Sequence, residues 1–282
     1  MRSVWFTALA LVFIPSSSAL AQNDAAAAVD VSALTVGETF MIQSKTLGED
    51  RRINVYMPAA YRASTEMRAP VLYMPDGGIG EDFLHIAGLV QVSVGNRTMR
   101  PFLLVGIENT QRRRDLTGPT QNAEDTTIAP EVGGSAAFRQ FIRTELMPVI
   151  DARYRTTDET AIMGESLAGL FVVETLFVEP DLFDTYIAFD PSLWWNDNEL
   201  VTRAADRLRS GGASPLTLYL ASSGERELEG LTSQLADLLD ANAPASLTWH
   251  YEAMPNETHA TIYHPAALRA VRRLFAPESA AH

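Results

Sequence analysis

The sequence predicts an α/β fold, with a mostly parallel sheet and helices on both of its faces, and three observations lead to this prediction. Continuous apolar runs such as residues 71–74 and 101–107 are typical of parallel strands that are covered on both faces. From residue 160 onwards such runs alternate with segments of helical length, as in parallel sheets. The chain has 282 residues, 46% of them hydrophobic, which suits one domain with a large core.

The elements can be placed in order along the chain. Residues 38–45 and 51–57 flank the turn Gly48-Glu49-Asp50 and predict an antiparallel hairpin at a sheet edge, which ends at Pro58. Parallel strands are predicted at 71–74, 101–107, 160–163, 185–189, 216–220 and 247–251. Helices are predicted after Ser166 and at 83–92, 135–150, 200–208, 228–239 and 265–275. In such sheets ligands bind at the carboxyl ends of the strands.

A candidate nucleophile lies where one of these strands turns into a helix. The strand that begins at Thr160 leads into Gly164-Glu165-Ser166-Leu167-Ala168-Gly169, a Gly-x-Ser turn, and an apolar helix follows. Such a turn strains the backbone of the serine and needs small residues two positions away on either side, which Gly164 and Ala168 provide. The free N–H groups of the helix amino terminus can bind an oxyanion. The pattern predicts Ser166 as a nucleophile, with a simple N-cap serine as the alternative.

The same Gly-x-Ser-x-Ala pattern also occurs at Gly133-Gly134-Ser135-Ala136-Ala137. Residues 126–131, which precede it, are too polar for a buried strand and contain a proline, and an amphipathic helix follows. Ser135 is therefore predicted to be a helix N-cap rather than a nucleophile.

A candidate base follows the last predicted strand. His259 lies in the loop after residues 247–251, where it could take the proton of Ser166. The other four histidines fall in a strand, at a helix start, in a helix and in the tail, and they are His250, His264, His85 and His282. His259 is therefore the predicted base.

Three carboxylates in loops after strands could orient this base. Glu225 and Glu227 follow the strand at 216–220, and either would complete the chain order Ser, acid, His of the α/β-hydrolase triad. Glu227 is favoured over Glu225. Asp190, which follows the strand at 185–189, is a third candidate, and its alternative role is to cap the turn at Pro191.

A glycine-containing loop is the predicted source of an oxyanion donor. Pro75-Asp76-Gly77-Gly78 follows the strand at 71–74, where a second backbone N–H is needed beside that of Leu167. The loop lacks the GxGxxG and Gly-Lys-Ser patterns of phosphate-binding loops. His259 and His264 are five positions apart without a supporting carboxylate pattern, so no metal site is predicted. We therefore expect neither a cofactor nor a metal.

Charge and the absence of cysteine exclude several functions. A formal net charge of −13 disfavours nucleic acid or an anionic membrane as a partner, because both would repel such a surface. The chain contains no cysteine, which excludes disulfides, thiol catalysis and thiolate metal sites. Nothing in the composition indicates an oligomeric state.

The amino-terminal residues predict export. Arg2 is followed by an apolar run over 4–14 and by Ala19-Leu20-Ala21 before Gln22, which is the pattern of a secretory signal. The run is too short to span a bilayer, so no stable membrane insertion is expected after cleavage. We predict a signal peptide at 1–21, a linker at 22–36, a catalytic domain at 37–276 and a tail at 277–282, with the mature protein periplasmic or secreted.

Six groups of motifs are spread over nearly the whole chain from about residue 38. They are Tyr73-Met74-Pro75-Asp76-Gly77, Ile107-Glu108-Asn109-Thr110 with Arg112-Arg113-Arg114-Asp115, Glu145-Leu146-Met147-Pro148, Gly164-Glu165-Ser166-Leu167-Ala168-Gly169-Leu170, Pro191-Ser192-Leu193-Trp194-Trp195 and Glu257-Thr258-His259. As a joint set they resemble the esterases of the esterase D type. This group includes enterobactin-type siderophore esterases, feruloyl esterase domains and mycolyltransferase antigens.

The resemblance implies an α/β-hydrolase fold without a large lid domain. It implies Ser166 as nucleophile, His259 as base and an acid after the strand at 216–220, and the Gly-x-x-Glu pattern of siderophore esterases aligns Glu227 with that acid. The implied oxyanion donors are the backbone N–H groups of Gly78 and Leu167.

At two positions the chain departs from the family pattern. The family more often has histidine at position 165 and glycine at position 168, where this chain has Glu165 and Ala168. Ala168 is sterically tolerable. A carboxylate beside the nucleophile can change pH dependence or substrate charge preference.

These features predict a serine hydrolase that cleaves a small-molecule carboxylic ester through an acyl-enzyme. Trp194 and Trp195 are predicted to form an aromatic pocket wall, with core packing as the alternative for one of the pair. Two other functions remain open for the same site. One is cleavage of a siderophore lactone or acyl transfer, and the other is ligand binding without catalysis, which the fold alone does not exclude.

Overall fold

The structure is a computed structural model that describes residues 31–209 and 214–277. Backbone contacts divide the chain into Met1–Thr35 and Val36–His282, and every strand and helix given below lies in the second unit. The predicted signal peptide lies outside the described residues. In the part that is described, none of the helices is long and apolar enough to cross a membrane.

The strands of the described residues form one sheet. They are β1 (Glu38–Ser44), β2 (Glu49–Tyr56), β3 (Ala69–Met74), β4 (Leu103–Ile107), β5 (Thr156–Glu165), β6 (Thr185–Phe189), β7 (Leu216–Ser223) and β8 (Leu247–Met254). The order across the sheet is β1-β2-β4-β3-β5-β6-β7-β8. β1 and β2 pair antiparallel, β2 also pairs antiparallel with β4, and the other neighbours are parallel. The predicted mostly parallel sheet with an edge hairpin is confirmed.

Helices connect the parallel strands. They are α1 (Ala59–Ala63), α2 (Phe83–Gly95), α3 (Arg112–Leu116), α4 (Ser135–Phe141), α5 (Met147–Arg153), α6 (Leu167–Val178), α7 (Trp195–Thr202), α8 (Ala204–Arg209), α9 (Arg226–Asn242) and α10 (Tyr263–Leu274). The helix predicted at 135–150 is present, but a π-helical turn at Ile142–Leu146 divides it into α4 and α5. The sequence did not predict α1 and α3, because five residues are too few to display a helical period.

Each face of the sheet has its own hydrophobic layer. On one face α2 and α10 pack over strand residues such as Leu72, Met163 and Phe189. On the other face α4, α6 and α9 pack over the strand residues that alternate with these along the chain, such as Tyr73 and Ile162. Successive strand residues point to opposite faces, so two covered faces require the continuous apolar runs seen in the sequence. No large lid domain is inserted among the described residues.

The prediction that Ser135 caps a helix is wrong. Gly134 precedes α4, and Ser135 is its first helical residue, with no side-chain capping hydrogen bond. The Ser135 side chain is fully buried, and its Oγ has no hydrogen-bond partner among the described residues. Ser135 therefore belongs to the packed interior.

Candidate active site

Ser166 forms the turn between β5 and α6. Its backbone angles are φ 61° and ψ −123°, which is a strained conformation for a residue with a side chain. The turn is held by the Ser166 N–H, which donates to the Phe189 carbonyl at 3.0 Å, and by the Ser192 N–H, which donates to the Ser166 carbonyl at 3.1 Å. A Cβ at Gly164 would lie 2.7 Å from the Ala168 Cβ, so position 164 accepts only glycine without movement. The predicted sharp turn is confirmed.

His259 lies beside this serine, as the sequence analysis expected. Its Nε2 is 3.0 Å from the Ser166 Oγ. The loop after β8 that carries His259 is fixed to the loop after β7, because the His259 N–H donates to Glu225 Oε1 at 2.8 Å and the Gly224 N–H donates to the Glu257 carbonyl at 3.0 Å. Glu225 therefore holds the backbone of the histidine rather than its ring.

Asp190 orients the other side of the imidazole. Its Oδ2 is 3.1 Å from His259 Nδ1, and its side chain is fully buried. Asp190 follows β6 with φ 39°. Its N–H donates to the Ala221 carbonyl at 2.8 Å, and its Oδ1 accepts the Ser223 N–H at 2.6 Å. Pairing with β7 thus aims this carboxylate at the base.

The structure does not pair Glu227 with His259, so we correct the expectation that Glu227 supplies this contact. Glu227 lies in the first turn of α9 and faces the cleft. Among the described residues, the carboxylates at Nδ1 are those of Asp190 and Glu165. Asp190 follows Ser166 and precedes His259 in the chain, and this residue was a candidate for the acid from the sequence. Its position directly after a strand was the available signal, but a turn-capping role explained that position equally well.

Glu165 is a second carboxylate at the imidazole. Its Oε1 is also 3.1 Å from His259 Nδ1, and its side chain is only 15% exposed. Burial raises the pKa of Glu165 to about 7, although the charges of His259 and Arg112 oppose this shift. The hydrogen bond with Asp190 raises the pKa of His259 above its ordinary value of 6.5, against the opposing effect of its own burial, and the charge of Glu165 adds to the rise.

The raised pKa of His259 predicts the acidic limb of the pH profile. A general base must be neutral to accept a proton, so activity is lost as pH falls through its pKa. We expect kcat/KM for a neutral ester to reach half its plateau above pH 6.5. Initial rates between pH 5 and 9 measure this midpoint, and a midpoint near pH 5.5 would contradict the assigned surroundings of His259.

The two predicted oxyanion donors, the N–H groups of Leu167 and Gly78, differ in their hydrogen bonding. The Leu167 N–H is at the first position of α6, where no intrahelical acceptor exists. The Gly78 N–H donates to Glu81 Oε2 at 2.7 Å. Glu81 is exposed on the surface, and its Oε1 also accepts a hydrogen bond from the Asn109 side-chain amide at 3.0 Å. The Gly78 N–H is therefore occupied by this carboxylate in the structure.

A cleft of about 420 Å³ opens beside Ser166 and His259. Trp194 lines it, as predicted, and Arg226 also lines it. Trp195 is not part of the cleft wall. Its side chain is buried, and its indole N–H donates to the Gly118 carbonyl at 2.9 Å, which draws the ring into the interior.

Replacing Asp190 and Glu227 in turn tests which of these two carboxylates acts with His259. We expect Asp190→Asn to lower kcat/KM by about tenfold or more, and by up to about 10⁴-fold if no other group holds Nδ1–H, because the amide cannot stabilise the imidazolium. Glu227→Gln leaves both contacts of Nδ1 intact, and we expect its loss to be at least about tenfold smaller. Steady-state kinetics on one ester measure both variants, with circular dichroism as the control for folding. A larger loss for Glu227→Gln would restore Glu227 as the acid.

The fold and the site together define an ester hydrolase of the α/β-hydrolase fold. The family model described as "Putative esterase" matches residues 44–262, and the chain belongs to this family.

Relatives and solved structures agree with this membership. The ferri-bacillibactin esterase BesA of Bacillus subtilis is 29% identical over 219 residues, which are 70% of this chain and 73% of that protein. A siderophore enterobactin esterase of Emericella nidulans is 35% identical over 129 residues, which are 42% of each chain. The crystal structure of an IroE-like serine hydrolase from Shewanella oneidensis aligns with a TM-score of 0.78 and 29% identity, over 85% of this chain and 80% of that one.

Proposed function

We propose that this chain is an exported serine esterase that hydrolyses the ester bonds of siderophores. The observation that carries the proposal is a continuous contact chain. Ser166 Oγ is 3.0 Å from His259 Nε2, and His259 Nδ1 is 3.1 Å from the buried Asp190. We assign these three residues as nucleophile, base and acid, with Asp190 in place of the Glu227 expected from the sequence.

In the proposed mechanism, His259 Nε2 takes the proton of Ser166 as Oγ attacks the ester carbonyl. The new oxyanion is bound by the N–H groups of Leu167 and, once Glu81 withdraws, of Gly78. Collapse breaks the ester C–O bond, and the imidazolium returns its proton to the leaving alcohol. Water then repeats the sequence on the acyl-enzyme, with His259 as base again, and releases the acid.

Two kinds of support favour a siderophore as the substrate. The relatives described above include a ferri-bacillibactin esterase and an enterobactin esterase by name. The cleft beside Ser166 is open, and Trp194 on its wall suits a ligand that carries aromatic groups.

A substrate comparison tests the proposal. The purified protein would be given a tris-catecholate trilactone, with and without Fe³⁺, and separately a feruloyl ester and a short-chain nitrophenyl ester, with mass spectrometry of the products. We expect kcat/KM for the trilactone to exceed that for the simple esters by about tenfold or more. The Ser166→Ala variant corrects for spontaneous hydrolysis. A preference for the feruloyl ester, or acyl transfer to an added alcohol, would overturn the siderophore assignment.

Export is proposed from the amino-terminal pattern alone. We expect cleavage after Ala21, so that the mature chain begins at Gln22. Mass spectrometry of the protein from the periplasmic and culture fractions of an expressing bacterium measures the terminus. A protein that keeps Met1 and stays in the cytoplasm would contradict the proposal.

A further inference from the structure

We propose that Glu165 is a second positioning residue for the His259 base, able to hold the Nδ1–H group when Asp190 does not. The proposal rests on the proposed ester hydrolysis by Ser166 and His259. It concerns a carboxylate at the position where the family more often has histidine.

Two carboxylates compete for a single proton donor. Oδ2 of Asp190 and Oε1 of Glu165 both lie 3.1 Å from Nδ1, and a neutral imidazole with a basic Nε2 carries one hydrogen at Nδ1. Asp190 has the hydrogen-bond geometry, whereas Glu165 Oε1 accepts no hydrogen bond from the described residues and is buried. A buried oxygen without a partner is costly, so a small rotation of the ring toward Glu165 would satisfy it.

The two carboxylates differ in how firmly they are held. Asp190 receives the Ser223 N–H and is fully buried. Glu165 ends β5, directly before the nucleophile, so its backbone is fixed by the same turn that positions Ser166. A carboxylate fixed by this turn keeps its place relative to Ser166, so it is beside the imidazole when His259 Nε2 is in contact with the Ser166 Oγ.

Charged groups from several elements face Glu165. His259 and Arg112 lower the pKa of Glu165, and Asp190 and Asp76 raise it. Arg112 is held by Asp76 through two hydrogen bonds of 2.7 Å. The buried, neutral Tyr263 on α10 also faces this cluster. Within this set His259 alone lies within ion-pair distance of Glu165 in the described residues, so a change of charge at Glu165 acts first on the base.

Four forms of the protein test the proposal: wild type, Glu165→Gln, Asp190→Asn and the double variant. If Glu165 takes over Nδ1–H, Asp190→Asn retains a rate only about 10- to 100-fold below wild type, and the double variant falls by about 10³- to 10⁴-fold. In Glu165→Gln alone, the acidic limb of kcat/KM shifts to lower pH by about half a unit or more, because the imidazolium loses a nearby negative charge.

The control is Glu229→Gln, which makes the same substitution on α9. The substitution keeps the backbone hydrogen bond of this residue, in which the Glu229 N–H donates to the Glu225 carbonyl. We expect it to leave the acidic limb in place. If Glu165→Gln does not fold, Glu165→Asp withdraws the carboxylate by one methylene group, and the same shift is expected. An unmoved acidic limb together with equal rates for Asp190→Asn and the double variant would overturn the proposal.

A measurement that does not depend on catalysis tests the role of Glu165 separately from the proposed esterase function. NMR titration of the His259 ring reports its pKa whether or not any ester is cleaved. We expect Glu165→Gln to lower that pKa by about half a unit or more. If wild type cleaves no ester but this shift is found, the proposed function fails, while the contact between Glu165 and the His259 ring stands. If wild type is active and the shift is absent, the positioning role fails alone.

Discussion

Replacing Ser166 with alanine is expected to lower kcat by about 10⁴- to 10⁶-fold, the range in which removing a serine nucleophile leaves only oxyanion and binding effects. The hydroxyl is held out of the sheet by a backbone turn at φ 61° and has the base at 3.0 Å. The Ser192 hydroxyl is 3.5 Å from it but does not occupy that turn. We therefore expect no neighbouring group to replace it, and KM to change little.

Single-turnover kinetics and labelling by a fluorophosphonate probe measure this loss together. Ser135→Ala is the matched control, because Ser135 lies in the same Gly-x-Ser-x-Ala pattern but is buried, with no partner for its Oγ among the described residues. We expect this control to keep its rate and its labelling. Labelling that persists in Ser166→Ala would remove Ser166 from the mechanism.

The second large effect is expected for His259→Ala, again about 10⁴- to 10⁶-fold in kcat. Without the imidazole, the Ser166 hydroxyl keeps an ordinary, weakly nucleophilic form at neutral pH. Asp190 and Glu165 are then left without the imidazole between them, and both lie on its Nδ1 side, so neither takes the place of Nε2. The remaining rate should therefore lose the acidic limb that His259 imposes on the wild type.

Rates from pH 5 to 9 on a single ester provide the measurement, and His250→Ala provides the control. His250 lies on the edge strand β8, and its Nδ1 is 3.1 Å from Arg273, on a different element from the catalytic loop. We expect this control to retain the wild-type profile. An unchanged acidic limb in His259→Ala would mean that another group titrates, and the assigned base would be wrong.

Most of the fold could be predicted from local patterns. Strands covered on both faces leave continuous apolar runs, and the run at 185–189 matches β6 residue for residue. Ser166 and His259 were found because Ser166 directly follows a strand and His259 lies in the loop after one, at the edge where a parallel sheet collects its loops. The sequence left open which of Trp194 and Trp195 packs in the core, and it missed the division between α4 and α5, since both depend on how neighbouring elements pack.

Sequence patterns did not identify the acid of the proposed triad. Glu225, Glu227 and Asp190 all follow strands, and no pattern ranks them by distance to an imidazole. The pairing of β6 with β7 brings Asp190 to Nδ1, whereas Glu225 binds the backbone of His259 and Glu227 faces the cleft. Glu165 was identified only as a departure from a family pattern, and its contact with the base emerged from the structure.

The sequence by itself determined which segments form the strands and the longer helices, the sharp turn at Ser166 and the place of His259 in a loop after a strand, because periodicity, glycine placement and turn chemistry are local properties of the chain. The tertiary structure decided which carboxylates meet the base, which tryptophan reaches the cleft and which oxyanion donor is occupied by Glu81. These depend on strand register and side-chain direction, which bring together residues that lie tens of positions apart and leave no local signal.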